Sequence, residues 1–226
     1  SHNAPYLNAF ITTSFKESLM FRRVLQVVLM ASIVAPVAAQ SPAGWKVHID
    51  QSTNAQDPDD KSGVKFMAMG KGFHVAGGPA GTYWNPANTG MGNYTLKGTF
   101  TLVKPSNHTN YYGLVFGGNA LDGPSQTYTY FLVAQDGSFL IKQRSGEQTS
   151  DVQGATKNPA IKTPDSSGKS VNALEVRVAG DTISYVVNGT VVHTTPKSAA
   201  KTDGVAGFRV NHVTEVMVDD FKVQKG

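Results

Sequence analysis

An all-β, two-sheet antiparallel sandwich is the fold class this sequence predicts, and three observations predict it. From residue 40 onward the chain is rich in Gly, Thr, Val, Tyr and Asn and poor in long runs of Ala, Leu, Glu and Lys, a composition that favours strands and turns over helices. No apolar repeat of helical period occurs there; the apolar residues fall in short runs bounded by Gly, Pro, Asn and Asp. At least ten such runs share a chain with no cysteine, so the packing of one sheet on another must hold the fold without disulfides.

Residues 1–39 stand apart from that domain. Met20 opens a secretory signal: Arg22 and Arg23 form its positive region, the stretch from Val24 to Ala35 its apolar region, and Val37-Ala38-Ala39 a small-residue cleavage site after the helix-breaking Pro36. The apolar run is shorter than the ~20 residues a bilayer span requires, so the segment reads as a cleaved signal (20–39) and leaves no membrane span. Residues 1–19 lie upstream of the plausible start and read as a non-native extension. The sandwich domain is then 40–226, expected to be exported to the periplasm or the cell exterior. Of the net charge of +4, +2 belongs to the leader through Lys16, Glu17, Arg22 and Arg23. The weak remainder and the lack of a basic cluster exclude nucleic acid as a partner. The absence of cysteine excludes disulfide scaffolds, zinc ribbons and thiol catalysis.

Gly44 to Asp50 reads as the opening strand. Gln51 to Ser62 is a polar loop containing Asp57-Pro58-Asp59-Asp60, which lacks the glycine and distal glutamate of an EF-hand. Val64 to Met69 and Gly72 to Val75 are short strands, and the turn Gly77-Gly78-Pro79-Ala80-Gly81 leads into Thr82-Tyr83-Trp84-Asn85-Pro86 and a Gly/Asn loop. Tyr94 to Val103 alternates, with a bulge expected at Gly98. Tyr111 to Phe116 puts Tyr112, Leu114 and Phe116 on one face. Tyr128 to Ala134 and Ser138 to Arg144 form a hairpin around Asp136-Gly137. Glu147 to Ser170, with Pro159 and Pro164, reads as a long polar loop. Ala173 to Val178, Thr182 to Val187 and Val191 to Thr195 follow, the last two joined by Asn188-Gly189, the dipeptide of a two-residue hairpin turn. Val205 to Val210 and Glu215 to Val223 close the domain.

Several of these runs carry a resemblance. Asn172-Ala173-Leu174-Glu175-Val176-Arg177-Val178-Ala179-Gly180, followed by Val187-Asn188-Gly189-Thr190-Val191-Val192, is similar to the N-x-L-x-V-x-V-x-G … V-N-G-x-x-V signature of laminin-G-like and 3-keto-disaccharide hydrolase-like domains. Gly204 to Val210 resembles their G-x-I-G-L-x-V strand, and Val216 to Val223 their closing V-x-D-x-x-V strand. The strands Tyr112–Phe116 and Tyr130–Phe139 fit the middle of the same pattern, so the resemblance spans Tyr94 to Val223. It implies a concanavalin A-like jelly roll, and for function a carbohydrate partner bound on the concave sheet. Hydrolysis of a modified glycoside, or a role as a cell-envelope protein-interaction module, are the alternatives it also implies.

No catalytic residue can be assigned. Family-16 glycoside hydrolases of this superfamily carry E-x-D-x-x-E on one strand, whereas the glutamates of 40–226 are Glu147, Glu175 and Glu215, far apart in sequence. There is no G-x-S-x-G elbow, and His48, His74, His108, His193 and His212 show no metal-ligand or triad spacing. Aromatic and cationic residues are the better indication, because flat rings stack on sugar faces and cations bond hydroxyls. If Phe131, Val133, Phe139 and Ile141 face the core, strand alternation places Tyr128, Tyr130, Lys142 and Arg144 together on the other face. Arg209 joins them if its strand shares the sheet, and Trp84 is expected to wall the groove; Trp45 is expected in the core. The resemblance further implies a structural calcium at Asp219, whose position matches the aspartate of the closing strand.

Overall fold

The computed structural model describes residues 41–50 and 63–226. The expected signal, the cleavage site at Ala39–Gln40, the upstream extension and the Asp57–Asp60 loop lie outside the described residues. All described residues belong to one compact unit.

The strands are β1 Lys46–Ile49, β2 Lys65–Met69, β3 Gly72–Ala76, β4 Gly81–Gly90, β5 Tyr94–Lys104, β6 Tyr111–Asn119 and β7 Thr127–Ala134. They continue with β8 Ser138–Ser145, β9 Gln148–Lys157, β10 Ser170–Ala179, β11 Thr182–Val187, β12 Thr190–Pro196, β13 Gly204–Val210 and β14 Glu215–Lys225. They form two seven-stranded sheets, ordered β1-β4-β13-β6-β7-β8-β9 and β12-β11-β10-β5-β14-β3-β2. Every pairing is antiparallel. Large sequence jumps between neighbours, such as β4 beside β13 and β5 beside β14, weave the chain back and forth between the sheets.

Alternation builds the core between them. Tyr112, Leu114, Phe116, Phe131, Val133, Phe139, Ile141 and Phe208 of the first sheet meet Leu96, Phe100, Leu102, Leu174, Val176, Tyr185, Val216 and Val218 of the second. Trp45 packs against this core as expected, its ring 4.3 Å from Phe73 and 5.4 Å from Phe208, centroid to centroid. Asn188 and Gly189 take φ of 50° and 83°, the pair of positive angles the tight β11–β12 turn demands.

Three expectations are corrected. The segment read as a polar loop after Glu147 begins with a ten-residue strand, β9. It is the edge of its sheet, and its exposed QTSDVQGATK sequence has no apolar face to betray it; the prolines fall after it. The Gly/Asn stretch after Pro86 continues β4 to Gly90. There is no bulge at Gly98: Tyr94, Leu96, Gly98, Phe100 and Leu102 all face in, and the β5–β10 register is unbroken from Tyr94 to Leu102. The irregularity sits in the partner strand instead, between Asp219 and Lys222, where Asp220 takes φ of 52°.

Candidate functional site

The outer face of the first sheet carries a second cluster: Trp84, Val115, Leu121, Tyr128, Tyr130, Leu132 and Leu140, with Tyr111 and Val205 against it. Apart from Leu121, which follows β6, the buried residues of this cluster alternate with the core positions on β4, β6, β7 and β8, so the assignment of Phe131 and Val133 inward and Tyr128 and Tyr130 outward holds. Tyr128 lies directly opposite Arg144, and Tyr130 opposite Lys142. Strand β13 lies in the same sheet, one strand from β7, which brings Arg209 to the same face. Gly207 makes room for Trp84: a Cβ there would come within 3.0 Å of the Trp84 Cβ and 2.2 Å of the Tyr83 carbonyl.

The rings are packed rather than open. Trp84 is 3% exposed, Tyr128 1% and Tyr130 7%. They serve as the wall on which a buried charge cluster is built. Arg209 is itself 7% exposed. Its Nη1 donates to Thr82 Oγ1 and Tyr128 Oη, both at 3.2 Å, and its Nη2 donates to Asp50 Oδ2. Its guanidinium lies 5.8 Å from the Tyr130 ring centroid, close enough for a cation–π attraction. Arg144 Nη1 donates to the same Asp50 oxygen at 2.8 Å, and its Nε to the Gly146 carbonyl at 2.8 Å. Asp50 Oδ1 is buried and has no hydrogen-bond partner among the described residues.

Electrostatics follow from this arrangement. Burial pushes the Asp50 carboxyl up, but the charges and hydrogen bonds of Arg209 and Arg144 outweigh it, and the net direction is down. Burial raises the Tyr130 hydroxyl to about 12, against the opposing pull of Arg209. The Arg209 guanidinium, held by Tyr128, Asp50 and Tyr130 against the cost of burial, stays charged.

Arg144, its side chain 13% exposed, carries this cluster to the rim of the sheet. It borders two depressions at the loop end of the sheet. One, of about 370 Å³, is lined by Thr127, Tyr128, Gln143, Arg144, Thr149 and Lys201 among others; the second, of about 350 Å³, by His48, Asp122, Gln126, Arg144 and Glu147 among others. In the second, Gln126 Nε2 and His48 Nε2 are 2.9 Å apart, and Asp122 is bound to Lys46 at 3.1 Å. The Lys46 hydrogen bond leads the influences that hold the Asp122 carboxyl below its ordinary value. Lys142 is not at either depression; it pairs with Asp151 of β9 at 3.1 Å.

The structure thus brings Trp84, Tyr128, Tyr130, Lys142, Arg144 and Arg209 to one face, but only Arg144 and the edge of Tyr128 border the first open depression. Sequence reasoning missed Asp50, His48, Gln126, Gln143, Thr149 and Lys201. His48 lies on β1, Asp50 directly after it, and Lys201 in the connection between β12 and β13, so only the tertiary fold juxtaposes them. Gln143 precedes a selected residue, but nothing in its local pattern marks it.

A calcium at Asp219 would draw most of its oxygens from backbone carbonyls. A calcium ion takes about six to eight oxygens, and among the described residues no group of three or more His, Asp or Glu side chains could hold a metal. Asp219 Oδ1 and the Val218 carbonyl lie beside Gly72, 2.4 and 2.3 Å from where a Cβ would stand.

No protein-family model matches the chain, and no curated protein matches it. Solved structures do. The carbohydrate-binding module CBM66 from Bacillus subtilis aligns over 80% of this chain and 96% of its own, at 13% identity and a TM-score of 0.58. A Bacillus subtilis protein of unknown function with a galectin-like fold aligns over 80% and 89%, at 13% identity and 0.57. The Bacillus licheniformis beta-glucanase aligns over 83% and 94%, at 9% identity and 0.51. At these identities the likeness is one of fold, and with the two seven-stranded antiparallel sheets it identifies the chain's fold as the concanavalin A-like jelly-roll sandwich.

Proposed function

We propose that this is an exported carbohydrate-recognition domain that holds a saccharide at the rim of the first sheet's outer face, across the two depressions that meet at Arg144. One observation carries the reading: a guanidinium fixed by Asp50 and Gly146 separates two open depressions lined with hydroxyl and amide side chains. Sugars are recognised by such fixed polar groups beside apolar surface. Arg144 has five N–H donors, and two are used internally, which leaves others for a ligand. The fold-level likeness to a carbohydrate-binding module and a glucanase supports the reading by analogy.

A second reading, hydrolysis of a glycoside, is favoured by the meeting of Asp122, Glu147 and His48 at one depression. Asp122, held ionised by Lys46, is suited to the base or nucleophile role and not to that of the acid, which would fall to Glu147 or His48.

One experiment addresses both: a screen of immobilised saccharides with the purified protein, followed by assay of the bound sugars for released product. Saccharide capture that Arg144→Gln weakens by about tenfold, the worth of one charge-assisted hydrogen bond, supports the recognition reading. Product release that Glu147→Gln abolishes would replace it with the hydrolytic one. No capture of any saccharide would end the carbohydrate reading.

A further inference from the structure

The two depressions that meet at Arg144 differ in charge. The first is lined by Thr127, Tyr128, Gln143, Arg144, Ser145, Gln148, Thr149, Ser150 and Lys201: two cations and no carboxylate. The second contains Asp122 and Glu147 and no lysine. Resting on the saccharide reading above, we propose that the first depression is a subsite for an acidic sugar, receiving the carboxylate of a uronate between Arg144 and Lys201.

Asp50 does not cancel the charge of this subsite. Its one bonded oxygen serves both Arg144 and Arg209, so the three-residue cluster keeps one unit of positive charge. The cluster is held on the apolar wall of Tyr128 and Tyr130, where low polarisability strengthens its pull on a nearby anion. A guanidinium presents paired N–H groups that match a planar carboxylate.

Lys201 supplies the second charge from a fixed root. Thr129 Oγ1 donates to the Lys201 carbonyl at 3.2 Å, and Gln143 Nε2 to the Ala199 carbonyl at 2.9 Å. These two bonds tie the β12–β13 connection to the end of the first sheet. The Lys201 residue itself is exposed, and among the described residues it makes no ion pair. Gln148, Thr149 and Ser150 on β9 complete the wall with neutral donors and acceptors suited to sugar hydroxyls. A neutral sugar would leave Lys201 and the cluster's one excess positive charge without a counter-charge, and a cationic sugar would be repelled.

The test is calorimetric titration of the wild-type protein with an oligogalacturonate and with the same oligomer after reduction of its carboxyls to alcohols. The acidic oligomer is expected to bind about tenfold more tightly, the worth of a charge-assisted contact, and the preference should shrink at high salt. Lys201→Ala and Arg144→Gln should each reduce that preference; Lys201→Ala alters an exposed side chain and guards against loss of fold in the other variant. Lys225→Ala, on the last strand of the opposite sheet, should leave it unchanged, which separates a site from general attraction of a polyanion. Equal affinity for the two oligomers, or a preference that survives both site variants, overturns the inference while leaving saccharide recognition standing. Failure of both oligomers alongside capture of other, neutral saccharides also overturns it. Failure of every saccharide removes the underlying reading as well.

Discussion

Arg209 sits on the outer face of a sheet and is nevertheless buried, and every part of its surroundings answers that burial. Thr82, Tyr128 and Asp50 accept its hydrogen bonds, and the Tyr130 ring faces its charge. Removing one partner of such a cluster leaves charge buried without compensation, which costs about 3–5 kcal/mol. Asp50→Asn should therefore destabilise the protein by roughly that amount at pH 7, measured by urea unfolding. The pH dependence has a definite sign. The folded Asp50 carboxyl titrates below its ordinary 3.8, so its contribution is complete above that value and disappears as the pH falls through the lower folded value. The stability gap between wild type and Asp50→Asn should narrow on acidification below 3.8. A gap that stays constant there would show that the charge of Asp50 is not what holds the two arginines. The sequence reveals the face on which Tyr128, Tyr130 and Arg144 lie, because alternation along one hairpin assigns it; Arg209 joins them only through the sheet order, which the fold supplies. The sequence does not reveal Asp50, which follows β1 and meets arginines 94 and 159 residues away.

At the scale of elements, the most legible motif in the chain also has the clearest structural reason. Asn172 is buried on β10, where its Oδ1 accepts from the Lys162 N–H at 2.8 Å and from Asn188 Nδ2 at 2.9 Å, and its Nδ2 donates to the Lys162 carbonyl at 3.0 Å. Asn188, at the β11–β12 turn, also donates to the Ala160 carbonyl at 2.7 Å and accepts from the Ala173 N–H at 2.9 Å. The two asparagines thus fasten the connection after β9 to the β10–β12 meander and seat Ile161 in the main core. Asn172→Ala should cost about 2–4 kcal/mol through the buried groups it leaves unpaired, and hydrogen exchange at Ile161 and Lys162 should quicken. Unchanged exchange there would mean that the connection is held by other contacts. Strands with one apolar face, such as β5 and β10, announce themselves by alternation. The strand β9 does not, because this edge strand lays only Val152 against the core and its ends are exposed, which is too little to impose an alternating pattern. The position of the irregularity beside β5 was equally illegible: a glycine in a strand suggests a bulge, but here Gly98 faces the core opposite the Phe221 and Leu114 side chains, and the partner strand carries the distortion.

At the scale of the molecule, two seven-stranded sheets enclose one core and leave the outer faces to differ. The first sheet covers the middle of its outer face with packed aromatic and aliphatic side chains and turns its polar, open surface to the rim, where the β8–β9 turn, the β6–β7 connection and the β12–β13 connection converge. The fold class was legible from composition and turn chemistry, since those act locally. The rim was not, because it is assembled from residues as distant as His48, Gln126, Arg144 and Lys201, none of which shares a motif with another. The central claim is that this rim is where a saccharide binds. It is tested most directly by titrating the isotope-labelled protein with the saccharide captured most strongly in the screen and following backbone amide shifts by NMR. The account predicts that the largest changes gather at Tyr128, at Gln143 to Ser150 and at Lys201; changes centred on β10, β5 and β14 of the opposite sheet would contradict it.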